Sequence, residues 1–115
     1  MRVNLQLMIL SISHQPVRAL QLLISNKKIP STILTESDDV NKLLSGLMEE
    51  YIEIHSTMYQ PKLLDIIKNE NDLSVIYGVM VPDFIKIIHG GWTPIEELIK
   101  DEEIERYIGY VYKII

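Results

Sequence analysis

Residues 38–51 read Asp38-Asp39-Val40-Asn41-Lys42-Leu43-Leu44-Ser45-Gly46-Leu47-Met48-Glu49-Glu50-Tyr51, and the reading of this stretch decides the fold. Val40, Leu43, Leu44, Leu47, Met48 and Tyr51 recur at intervals of three and four residues, the spacing of an amphipathic helix with one broad apolar stripe. Ser37 or Asp38 is placed to cap it, because a short polar acceptor takes up a free first-turn N–H and an acid suits the positive end of the helix dipole. At about 100° per residue the stripe leaves Gly46, Glu49 and Glu50 together on the opposite flank. Two adjacent carboxylates at the end of a core-packed helix are the most informative feature of the chain.

Upstream of this helix, Val3-Asn4-Leu5-Gln6-Leu7 alternates apolar and polar and then runs on apolar to Ile12. That pattern predicts a strand buried on one face at first and on both faces later. Pro16, which has no N–H to donate to a ladder, ends it within Ser13-His14-Gln15-Pro16. A second strand is predicted from Val17 to Ile24, then a polar turn at Ser25-Asn26-Lys27-Lys28 and a link from Ile29 to Glu36.

Downstream, Ile52-Glu53-Ile54-His55 has period two and predicts a strand that stops before Pro61. Lys62 to Lys68 fits either a strand or a short helix, and Asn69-Glu70-Asn71-Asp72 is a turn-forming cluster. Leu73 to Val81, rich in β-branched and aromatic residues, is the clearest strand, ended by Pro82-Asp83; Phe84 to Ile88 reads as a further edge strand. After a flexible turn at His89-Gly90-Gly91, Thr93 as cap and Pro94 at the first helical position open a helix with Ile95, Leu98 and Ile99 on its stripe. A last helix is expected from Asp101 to Tyr112, with Ile104, Tyr107, Ile108 and Val111 inward. The element order predicts one mixed α+β domain over residues 1–115.

Composition narrows the function classes. A chain of 115 residues, 47% apolar, is long enough to bury one core and too hydrophobic for disorder. No apolar run reaches membrane-span length, and no basic n-region with a small-residue cleavage site opens the chain, so neither a membrane segment nor a leader is expected. The absence of cysteine excludes disulfides, thiol catalysis and thiolate metal sites, and fits a cytoplasmic protein. A net charge of −5 with no basic cluster beyond Lys27-Lys28 argues against duplex nucleic acid as a partner.

The order of elements, together with several short motifs, resembles the Nudix hydrolase family, with its mixed β-sheet flanked by helices in an α/β/α sandwich. Carrying the likeness are a second strand with a basic residue (Arg18), the Lys28-Ile29-Pro30 link before the helix, a helix ending in Leu47-Met48-Glu49-Glu50, and Trp92-Thr93-Pro94-Ile95-Glu96-Glu97-Leu98 before the last helix. The family signature reads Gly, five residues, Glu, seven residues, then Arg-Glu-apolar-x-Glu-Glu-x-Gly-apolar. With its paired glutamates set on Glu49 and Glu50, Leu47 falls on the apolar position. The rest departs: the signature's first Gly falls on Ser31, its isolated Glu on Ser37 with Glu36 one residue away, its Arg on Ser45, the next Glu on Gly46 and its last Gly on Ile52.

The resemblance implies that an active member holds Mg²⁺ through carboxylates at the positions of Gly46, Glu49 and Glu50. Such an ion takes hard oxygen ligands and neutralises a diphosphate during attack by water. Gly46 removes one ligand and Ser45 removes the Arg, which leaves Glu49 and Glu50, with Asp39 two turns before Gly46 on the same flank, as a weak metal set. The implied function is a catalytically inactive Nudix-like binding or structural module, with a protein, a second copy of itself in a homodimer, or a nucleotide as partner. No cofactor is expected, and Mg²⁺ only if the chain is active. Arg18 and Trp92 are the candidate ligand contacts, Trp92 by stacking a base or ribose. The alternative is a divergent Mg²⁺-dependent pyrophosphohydrolase acting on a nucleoside diphosphate derivative through Glu49, Glu50 and Glu36 or Asp39.

Plainer readings stand beside these. Glu49 and Glu50 are also what any solvated helix end carries. Gly46, costing up to about 1 kcal/mol relative to Ala in a helix, either admits a close neighbour or marks a Glu position that has been lost. His14, His55 and His89 lie on three separate segments with no helical pairing and read as surface or hydrogen-bonded histidines. The Tyr107-Ile108-Gly109-Tyr110-Val111-Tyr112-Lys113-Ile114-Ile115 terminus, apolar and aromatic, is either an interface or part of the core. An unrelated α+β interaction protein with a chance match at Trp92 also remains open.

Overall fold

The structure, a computed structural model, describes residues 2–14, 18–54 and 58–114. Strands β1 (Arg2–Ser13), β2 (Ala19–Ile24) and β3 (Ser31–Leu34) precede helix α1 (Val40–Tyr51). They are followed by β4 (Lys62–Lys68), β5 (Asp72–Met80) and β6 (Gly91–Pro94), then helices α2 (Ile95–Leu98), α3 (Glu102–Ile108) and α4 (Val111–Ile114). The six strands form one mixed sheet in the order β4-β5-β1-β2-β6, with β3 also on β1.

β1 is the axis of the sheet. One edge pairs in parallel with β5 from Arg2↔Asp72 to Leu10↔Met80. The other edge is shared: its first half pairs antiparallel with β3, Val3↔Leu34 to Gln6↔Ser31, and its end with β2, Leu10↔Leu22 to Ser13↔Ala19. A strand flanked on both edges and covered on both faces must be apolar on both, which is why the alternation of residues 3–7 gives way to a continuous apolar run.

Successive side chains leave a strand on opposite faces, and β1 accordingly feeds two cores. Leu5, Leu7 and Ile9 pack on one face with Leu44, Leu47 and Met48 of α1. Met8 and Leu10 pack on the other with Leu98, Ile104, Tyr107 and Val111 of the C-terminal helices. The arrangement is the expected α+β sandwich, a mixed sheet with helices on both faces. It places the apolar C-terminus mostly in the core, with Tyr107 and Val111 buried and Tyr112 exposed.

Several local expectations are corrected. The link before α1 contains β3, a short strand whose Thr32 and Ile33 suit pleated pairing and which docks on β1 beside the Leu7 N–H···O bond to Pro30. The strands expected at residues 52–55 and 84–88 reduce to one antiparallel bridge, Ile52↔Ile87. Glu53 N donates to Lys86 O and Ile88 N to Tyr51 O, so the two segments tie the end of α1 to a loop without extending into a ladder. His55 lies outside the described residues.

The Trp92 segment forms β6 against β2, Leu23↔Trp92, before any helix starts. Pro94 therefore sits at the cap of α2 with no side-chain cap bond, and Thr93 does not cap. The last helix is two, α3 and α4, interrupted at Gly109 and Tyr110, where low helix propensity at Gly meets a tyrosine that reaches away to donate to Asp65 Oδ2 at 2.5 Å.

Candidate functional site

The outer flank of α1 is the site that the sequence singles out. The helix begins at Asp39, whose carboxylate accepts from Asn41 N at 2.9 Å. Asp38, expected as a cap, is otherwise engaged: it accepts from Thr35 N and Thr35 Oγ1, both at 2.7 Å. Those bonds, the side-chain one first, hold its carboxyl below the usual 3.8.

Leu44, Leu47 and Met48 are buried against the sheet, which turns Gly46, Glu49 and Glu50 outward, all three exposed. A Cβ built on Gly46 meets nothing within 4 Å. No neighbour needs this glycine, so the packing explanation for it falls away.

Past Glu50 the helix meets the 82–90 loop. His89 stands edge-on to Tyr51 with ring centroids 6.3 Å apart. Burial, and secondarily the Glu50 charge, raises the Tyr51 hydroxyl above its ordinary 10.0.

The structure brings Glu49 and Glu50 together and does not bring Asp39 to them. At 1.5 Å per residue, Asp39 lies about 15 Å back along the helix axis, with its carboxylate engaged at the cap. Glu36 is exposed in the turn before the cap. Among the described residues no group of three or more His, Cys, Asp or Glu side chains is placed to hold a metal ion. Mg²⁺ requires near-octahedral oxygen coordination, and two exposed neighbouring carboxylates on one helix do not fit that demand.

Arg18 and Trp92 are not a pair either. Arg18 is exposed just ahead of β2, whereas Trp92 lies opposite Leu23 toward the far end of that strand, about 16 Å away at 3.3 Å per residue. Trp92 packs on the α1-side core, and its Nε1 is buried without a hydrogen-bond partner.

Sequence reading missed two polar groups inside the fold. Ser11, fully buried, has an unpartnered Oγ; its signal is the single hydroxyl within an apolar run. Gln6 has an unpartnered, buried Oε1 and lines a cavity of about 450 Å³ against α3. Alternation alone placed Gln6 on the outward face of a half-buried strand, and only the packing of α3 covers it.

Solved structures share this fold. A mutT/Nudix family protein from Listeria innocua matches with a TM-score of 0.73 over 97% of this chain and 92% of its own, at 10% identity. The Nudix domain of Shewanella oneidensis NrtR, in complex with ADP-ribose, matches with a TM-score of 0.68 over 96% and 86%, at 11% identity. An Ap4A hydrolase from C. elegans, solved as a binary complex, matches with a TM-score of 0.57 over 98% and 94%, at 10% identity. No protein-family model matches the sequence, and no curated protein is similar to it in sequence. The fold is Nudix-like.

Proposed function

We propose that this chain is a Nudix-like domain that binds a partner and does not hydrolyse nucleotides efficiently. The observation that carries this reading is Gly46, exposed and with open space where a side chain would stand. The flank that would need three converging carboxylates offers two. With no close contact to offset it, a helical glycine there is a net cost to stability, as expected of a position released from a catalytic demand.

The partner is a nucleotide derivative, a protein or a second copy of the chain. The ADP-ribose complex of the NrtR Nudix domain supports the first. Phe84 and Met58, exposed to 83% and 70%, support a macromolecular contact. The cysteine-free composition suits a cytoplasmic setting.

Calorimetric titration with Mg²⁺ or Mn²⁺, then with ADP-ribose or a nucleoside triphosphate, tests the reading when the same samples are followed for phosphate or nucleotide release. Heat without release supports a nucleotide-binding module. Silence in both directs attention to a protein partner or self-association, measured as the mass at sedimentation equilibrium. Metal-dependent turnover at rates typical of enzymes overturns the reading in favour of a divergent pyrophosphohydrolase using Glu49 and Glu50, which a Glu50→Gln variant would then disable.

A further inference from the structure

The two ends of the sheet differ in what they offer a further strand. β6, at one end, is four residues long and finishes on Pro94, which has no N–H to donate; a short edge with a proline needs little more protection. β4, at the other end, is seven residues long, and its Leu63 and Ile66 are exposed to 47% and 53%. Leu63 stands opposite Tyr77 and Ile66 opposite Val75, and both of those partners pack on the α1-side core, so both exposed side chains lie on the α1 face. A long edge with exposed apolar residues invites pairing with another chain unless something blocks it.

Asp65 is in a position to block it. Asn69 N donates to Asp72 O at 2.8 Å, which closes the β4–β5 hairpin and sets the phase of its ladder. Counting back in twos, the N–H groups of Ile67 and Asp65 point at β5 and that of Ile66 points at the open edge. The Ile66 N–H is already taken, because it donates to Asp65 Oδ1 at 2.8 Å. The carboxylate therefore lies over the edge, occupying the donor that an incoming strand would use and setting a negative charge in its path. A register shift between Leu63 and Asp65 breaks the straight run of the edge just before this point, a further hindrance to pairing.

The carboxylate is held there from the opposite face. Its second oxygen, Oδ2, accepts from the Tyr110 hydroxyl at 2.5 Å. Tyr110 lies in the turn between α3 and α4, and α4 sits low on the sheet because residue 78 is a glycine: a Cβ there would come within 2.5 Å of Ile114 Cδ1. Lys62 Nζ donates to Lys113 O at 3.4 Å, a second tie between β4 and α4. The C-terminal turn and helix thus form a strap across β4 that fixes Asp65 over its edge.

We propose that Asp65, positioned by Tyr110, is a plug that keeps the β4 edge from pairing with the β4 edge of a second copy of this chain. The occupant shut out is a second copy because of the phase of the ladder. Antiparallel pairing of β4 with itself about Ile66 would set the outward N–H and C=O of one Ile66 against those of the other and bring the two exposed Ile66 side chains together on one face. The plug is independent of what the α1 flank binds, since neither Glu49 nor Glu50 takes part in it.

Sedimentation equilibrium of the full chain and its variants at one concentration tests this. Asp65→Ala frees the Ile66 N–H and removes the charge, and its mean mass should rise at least about twofold over that of the unaltered chain. Tyr110→Phe leaves the carboxylate in place but unanchored and should raise the mass less. Adding Ile66→Lys to Asp65→Ala should return the mass to its starting value. Because Ile66 is on the α1 face and α4 on the other, that rescue would not occur if the variant associated through core exposed by a loosened α4. Glu70→Gln, which removes the same charge from the neighbouring turn, should leave the mass unchanged. A mass that Asp65→Ala does not alter overturns the proposal, as does a rise that Ile66→Lys fails to reverse or that Glu70→Gln reproduces. A Tyr110→Phe chain with unaltered mass overturns the positioning role of the strap.

Discussion

The two faces of the sheet are built from alternate residues of the same strand, yet they are finished differently. The α1 face is closed by one 12-residue helix whose apolar stripe packs on the sheet and whose outward residues are Asn41, Lys42, Gly46, Glu49 and Glu50. The opposite face is closed by three short helices of 4, 7 and 4 residues, which leave a cavity with an unpartnered amide in its wall. Orphaned polar atoms occur on both. Ser11 Oγ belongs to a fully buried residue, whereas Gln6 borders open volume. The contrast teaches that, in this chain, both faces enclose orphaned polar atoms, and the face closed by short helices differs in the open volume left beside Gln6.

Truncating one core residue on each face is the strongest way to challenge that comparison. Leu7→Ala on the α1 face and Leu10→Ala on the other each remove a fully buried side chain, and each should cost about 2–5 kcal/mol in urea unfolding. A Leu10 variant losing less than about 1 kcal/mol would show that the short helices do not seal their face.

Gly78 probes the same face more gently. Its Cβ would come within 2.5 Å of Ile114 Cδ1 and 2.8 Å of Leu64 Cδ1. Gly78→Ala should therefore loosen α4 and cost about 1–3 kcal/mol, read as a lowered melting temperature; an unchanged melt would mean that α4 shifts without loss.

On the α1 flank the sign reverses. Gly46→Ala should stabilise by up to about 1 kcal/mol, and a destabilised variant would reveal a neighbour at Gly46.

The smallest effect belongs to the Tyr110–Asp65 hydrogen bond, which ties the turn between α3 and α4 to β4. Accepting that bond is the main reason the Asp65 carboxyl lies below 3.8, and making it is the main reason the Tyr110 hydroxyl is pushed up to about 12 from 10.0. The Tyr110 contribution is present below pH 10 and is lost as pH climbs towards 12, because the folded state holds that proton more tightly. The Asp65 contribution is present above 3.8 and is lost as pH falls beneath it, because there the folded state holds its proton less tightly. Tyr110→Phe should flatten both limbs of a melting-temperature profile against pH, and a profile superimposable on the original would remove the bond from the account.

Much of this was legible in the residues. The three- and four-residue spacing from Val40 to Tyr51 specified α1 and which flank faces outward, and that flank carried the resemblance to the Nudix family that the fold bears out. The apolar run of β1 announced a central strand. The errors fell on short segments: a four-residue strand such as β3 or β6 carries too few periods for alternation to speak, and its existence depends on an available edge.

Helix spacing and strand alternation are local properties, encoded in which residues must share a face, so α1 and β1 could be read from the chain alone. Which edge a segment finds, and what comes to cover a given side chain, depends on contacts between residues far apart in sequence. Gln6 and Tyr107, 101 positions apart, became the wall of a cavity only when α3 folded back over β1, and no periodicity near either residue encodes that meeting.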